Sequence, residues 1–248
     1  MEIVMFHLLR AEPDTAFEYG AFRIRRMRPG HILPGRDDPS LGPLSIIDHS
    51  NLQTGTLVSM HQHQNDEILS YLWQGSMVHE DQQGNRVPLS AKKLMMMNAG
   101  EGSWHEESTP IVPAELLQIF IRPCAANLPP RVQFMDRPQG VITGEWTLLA
   151  GPEGENAPLD IRQQVFIYDI RLEHKDKVAI PSRPGFTQYL YVMEGEIDMT
   201  GPPLYKGDAA CSEEGELPSA ESTGTSTLVC FLVRLDAVAV TDGLISGS

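Results

Sequence analysis

Two short stretches of this chain carry residues able to do metal chemistry: His61-Gln62-His63, with Glu67 four residues on, and Trp104-His105-Glu106-Glu107. Alternate side chains of a β-strand share a face, so His61 and His63 point one way, and so do His105 and Glu107. Two such pairs on neighbouring strands can close around one ion. Imidazole suits zinc, copper, iron and nickel, while a carboxylate adds an oxygen donor and negative charge. Glu67 shares the parity of His61 and His63, so parity leaves Glu67 and Glu107 as rival oxygen ligands. An HxH pair alone also arises on ordinary strands, and the second pair gives the first its weight.

The other candidates read as structural. His79 reads as a histidine near a strand end, and His7, His31, His49 and His174 as surface or hydrogen-bonded rings without a partner at useful spacing. Neighbouring residues on a strand face opposite ways, so Met95-Met96-Met97 reads as packing rather than a soft metal site. Cys124, Cys211 and Cys230 are three, widely separated and without a CxxC, which excludes a thiolate zinc site and predicts reduced core residues. No G-x-S-x-G, P-loop or GxGxxG is present, which removes common hydrolase and nucleotide-binding readings.

The elements that must position these residues are strands. Branched and aromatic runs lie at Gly55 to Met60, Ile68 to Trp73, Leu94 to Met97, Leu116 to Ile121, Val165 to Leu172, Gln188 to Met193 and Thr227 to Leu235. Glycine (21) and proline (19) punctuate the chain often enough to favour short strands over long helices. Asp81 to Asn85 reads as a hairpin turn. Laying Gly75 on Gly195 aligns Leu69 to Gly75 with Tyr189 to Gly195, an offset of 120 residues (195 − 75), which points to two similar barrels. The Pro/Gly-rich stretch Pro123 to Gly154 suits the crossover. The expected domains are 1–130 and 131–248.

The formal charge of −14 disfavours nucleic acid and anionic membranes, and Arg23, Arg25, Arg26 and Arg28 read as a solvated strand or turn. The opening run has Glu2 ahead of its apolar residues and lacks the basic start and cleavage site of a leader, and no stretch is long enough for a bilayer span. A cytoplasmic protein is expected.

Met60 to His63, Glu67 to Leu72 and the Gly75-Ser76-Met77-Val78-His79-Glu80-Asp81 hairpin, together with Asn98-Ala99-Gly100-Glu101-Gly102-Ser103-Trp104-His105-Glu106-Glu107, resemble the metal-site motifs of the pirins. The likeness covers residues 40 to 122 well and the C-terminal half only by general cupin pattern. It implies an all-β fold of two cupin barrels packed face to face, with iron in the first held by residues matching His61, His63, His105 and Glu107, and Glu67 behind them. Two departures stand beside the ligands: Gln62 replaces the family's usual proline, and Gln64-Asn65-Asp66 replaces Arg-Gly-Phe. The 120-residue offset places Pro181 and Arg183 where the two histidines stand, so the second barrel is expected to lack metal.

The resemblance implies a non-haem iron dioxygenase of the quercetin 2,3-dioxygenase type, with dioxygen and a small aromatic flavonol as substrates and Glu107 or Glu67 as proton acceptor. Fe(II) is the implied metal, with zinc, manganese, nickel and copper as alternatives. The family likeness also allows a metal- or redox-sensing regulator that binds a transcriptional or metabolic partner protein. A third reading is a closed structural metal site.

Overall fold

The computed structural model describes residues 6–11, 16–212 and 215–248, so Met1 to Met5 of the opening run lie outside the described residues. The expected strands are present as Leu57–His63, Glu67–Asp81, Lys93–Asn98, Ala114–Ile121, Val165–Leu172, Thr187–Glu194 and Ser226–Val233. Among the described residues the one helix is a 3₁₀ turn, Pro29–Ile32. Among the described residues no helix is long and apolar enough to cross a membrane.

These strands form a ten-stranded sheet in the N-terminal half, and a seven-stranded and a four-stranded sheet in the C-terminal half. This is the two-barrel cupin architecture. Alternation along the strands builds three kinds of core from one sequence. Leu69, Tyr71, Leu117 and Ile119 meet Tyr189, Tyr191, Val229 and Phe231 between the barrels. Their neighbours in sequence turn inward, with Leu190, Val192, Leu228 and Cys230 filling the second barrel and Ile68, Met97 and Phe120 lying inside the first. Met95, Met96 and Met97 are all buried, each in a different cluster, as packing residues should be.

The halves exchange chain. His7–Leu9 pairs with Ala209–Cys211 of the C-terminal sheet. Arg131–Asp136 pairs with Lys93–Asn98, so the N-terminal sheet runs past the expected boundary at 130. At the other end Leu244 N donates to the Gln64 carbonyl at 3.0 Å. The internal repeat has a physical counterpart: Gly75 and Gly195 have φ of 74° and 84°, and each lies beside a register shift in its barrel. A Cβ on Gly75 would stand 1.7 Å from the Pro113 carbonyl oxygen, and one on Gly195 2.4 Å from that of Thr225, so neither admits a side chain.

Two expectations are corrected. Cys211 and Cys230 are buried free thiols, but Cys124 is exposed, because it follows Pro123 in the connecting chain after the sheet has ended. The arginines are not simply solvated: Arg26 forms a two-pronged pair with Asp48 at 2.9 and 2.7 Å, Arg25 donates to Tyr191 Oη at 2.8 Å, and Arg28 reaches the Ser248 carbonyl.

Candidate metal centre

Leu57–His63 runs antiparallel to Ser103–Ser108, with His61 opposite His105 and His63 opposite Ser103. Parity within the second strand is as expected: Trp104 is 42 % exposed, whereas His105 and Glu107 are 1 % and 4 % exposed. One ring nitrogen of each of His61, His63 and His105 lies within 4.8 Å of the others. His61 Nε2 and His105 Nε2 are 3.0 Å apart. At imidazole–metal bonds of about 2.1 Å, two ligand nitrogens at a right angle stand about 3.0 Å apart. The donor set and its spacing therefore fit a transition-metal ion.

The outer nitrogens fix which atom each ring turns inward. His61 Nδ1 donates to the Ser59 carbonyl at 2.9 Å, and His63 Nδ1 donates to Asp66 Oδ2 at 3.3 Å. Both partners only accept, so each ring keeps its proton on Nδ1 and its lone pair on Nε2. His105 Nδ1 faces His79 Nδ1 at 3.1 Å. When His105 carries its proton on Nδ1 and His79 accepts it, the third lone pair joins the other two. Burial, followed by repulsion from His61, His63 and His79, pushes the His105 pKa down to about 2. Burial also lowers His61. Neutral imidazole is the form a cation needs.

The two carboxylates separate. Glu107 is buried in the strand of His105 and accepts hydrogen bonds from Gln118 Nε2 at 3.0 and 2.7 Å; burial raises its pKa, opposed by the Gln118 hydrogen bonds and then by His63. Glu67 lies away from the histidine cluster. Its Oε1 accepts from Arg162 Nε at 2.9 Å and its Oε2 from the Arg162 backbone N–H at 3.0 Å, with Asn98 Nδ2 on the same oxygen. Parity misleads here because it carries only within a strand, and Gln64 to Asp66 break the strand before Glu67 begins a new one facing the second domain.

His79 was the site residue that pattern reading passed over. Its strand, Glu67–Asp81, shifts register near Trp73, which moves the inward set from Ile68 and Leu72 to Met77 and His79. Its place in the Gly-Ser-Met-x-His-Glu-Asp hairpin was the available signal. A cavity of about 200 Å³ lined by His79, Ser103, Trp104 and Arg131 adjoins it. A larger one of about 510 Å³, bordered by Cys124 and Arg162, lies apart from the histidines. In the second barrel Pro181 offers its carbonyl to Gln188, and Arg183 stacks 3.9 Å over Phe166 and pairs with Glu155. Among the described residues, His61, His63 and His105 are the group that brings three ligand atoms together.

Fold and site together define a metal-binding bicupin. Residues 26–121 match the family model described as Pirin, and residues 148–232 match that of the quercetinase C-terminal cupin domain. The chain belongs to the pirin family. The quercetin 2,3-dioxygenase of Escherichia coli K12 is 23 % identical over 190 residues, 76 % of this chain and 81 % of the relative. A pirin-like protein of Caulobacter vibrioides is 26 % identical over 199 residues, 79 % and 84 % of the two chains. The crystal structure of a bacterial pirin from Escherichia coli with nickel(II) superposes with a TM-score of 0.80 at 21 % identity, covering 92 % of this chain and 99 % of that one, which places the fold.

Proposed function

We propose that this pirin is a dioxygenase of the quercetin 2,3-dioxygenase type, acting on flavonols with Fe(II) held by His61, His63 and His105. The observation that carries the reading is the convergence of three imidazoles whose outer nitrogens are already engaged. Three ring donors leave coordination positions open to a substrate, unlike a closed structural site. Bound there, iron supplies Lewis acidity toward a flavonol's vicinal hydroxyl and keto oxygens and a redox route to dioxygen.

The chain's own groups do the rest. His63 and His105 are buried while His61 is only half-buried, so the cluster is reached from the His61 side. Glu107 is the fourth ligand or the acceptor of the flavonol hydroxyl proton. Burial makes its carboxylate a stronger base than an exposed one, and Gln118 holds it in place. Glu67 is engaged elsewhere and has no part in this reading.

Names carried by relatives agree with the activity, and they say what those proteins do. The test here is oxygen uptake with quercetin by iron-loaded protein, which His61→Ala abolishes on this account. Uptake that persists in that variant contradicts it. Bound metal without turnover in the unmutated protein turns the reading toward a metal-sensing regulator.

A further inference from the structure

Asp66 stands where the pirin pattern has phenylalanine, and its carboxylate is fully buried. Besides His63, it accepts hydrogen bonds from the backbone N–H of Ser246, at 2.8 Å to Oδ1, and of Ile245, at 3.3 Å to Oδ2. Those two residues come from the far end of the chain, beyond the second barrel. The same segment is fastened around the site: Asn65 Nδ2 donates to Asp242 Oδ1 at 2.9 Å, and the Ser246 carbonyl accepts from Ser45 Oγ at 2.6 Å and from Arg122 Nε at 2.9 Å. Gly243 passes so close that a Cβ there would stand 2.6 Å from Asp66 Oδ1 and 2.7 Å from the Asn65 carbonyl oxygen.

A buried carboxylate needs hydrogen-bond donors to stay charged and fixed, and here the donors are the histidine it orients and this distant segment. We infer that residues 242–248 are a working part of the metal centre: they hold Asp66 in the position from which it orients His63. The ligand set of the first barrel is thereby tied to chain that follows the second. Asp66 and the segment are positioning groups, acting through the His63 ring rather than on substrate. The inference rests on the histidines holding a metal and is independent of the flavonol reading.

Cobalt(II) affinity, measured on the full chain by competition with a chelator, tests it together with the visible spectrum of the cobalt-loaded protein. Asp66→Ala is expected to weaken cobalt binding by about 10- to 100-fold, the usual effect of losing the partner of a metal-bound histidine. Gly243→Ala, which crowds Asp66 without touching any ligand, is expected to weaken binding in the same direction and to alter the spectrum as Asp66→Ala does. The double variant should bind no more weakly than Asp66→Ala alone, since both changes act through one carboxylate. Ser246→Pro, which removes the N–H that Asp66 accepts, serves as the second variant if Gly243→Ala does not fold, with the same result expected. Parental affinity and spectrum in Gly243→Ala or Ser246→Pro overturn the inference, and so do losses that multiply in the double variant. Failure of the unmutated protein to bind cobalt overturns the metal reading itself, whereas quercetin turnover does not enter.

Discussion

Three imidazoles serve one ion only when each turns a free lone pair inward, and the partner of the opposite nitrogen decides that. Ser59, Asp66 and His79 play this part for His61, His63 and His105. His79→Ala is therefore expected to weaken metal binding by about 10- to 100-fold, with a smaller loss in His79→Gln, whose amide oxygen can still accept from His105 Nδ1. Equal affinity in His79→Ala and the parent, by chelator competition, would show that the ring contact is incidental. The convergence of His61, His63 and His105 was legible from spacing, because HxH and HxE each lie within one uninterrupted strand. His79 was not, because the register shift near Trp73 reverses parity inside its strand, and nothing in the order of residue types marks where such a shift falls.

At the level of strands and sheets, Glu67, which parity offered to the site, serves the packing of one domain on the other. Glu67 and Arg162 form a pair buried at 0 % and 8 % side-chain exposure. Removing one member leaves the other charge uncompensated, so Arg162→Ala is expected to cost about 3–5 kcal/mol in stability. Denaturant unfolding measures it, and a change below about 1 kcal/mol would place that pair among weak surface bridges. His49 behaves similarly: Nδ1 meets Tyr191 Oη at 2.6 Å and Nε2 meets Glu115 Oε1 at 2.7 Å, with Arg25 and Lys206 also facing it. Burial lowers its pKa below the ordinary histidine value of 6.5, outweighing the upward pull of Glu115. The unfolded chain then binds a proton that the folded chain refuses, so this contribution is present above about pH 6.5 and is lost as pH falls. Melting temperatures taken from about pH 7 to about pH 5 should fall less steeply in His49→Gln than in the parent at the same metal content. Identical slopes would contradict the assignment. The hydrogen-bonded role of His49 was foreseeable, but its partner in Tyr191 lies 142 residues away and could not be read from local pattern.

Over the whole molecule, duplication explains more than any single motif. The 120-residue repeat foretold two barrels, and Gly75 and Gly195 fix the same kind of irregularity in each. The barrels then diverge: one keeps three histidines at its centre, and the other carries Pro181 and Arg183 at the positions the 120-residue offset assigns to His61 and His63, where they bond Gln188 and stack on Phe166. The exchange of chain ends was not legible, since a three-residue strand, His7–Leu9, and an irregular tail carry no periodic signal. It nevertheless joins the halves across the faces that bury Tyr71, Tyr189 and Tyr191. Elemental analysis of protein purified without a metal-affinity tag, on the parent and on His105→Ala, tests the central claim most directly. The account predicts near-stoichiometric transition metal, iron foremost, in the parent and its loss in the variant; a parent free of metal, or a variant that retains it in full, would contradict the account.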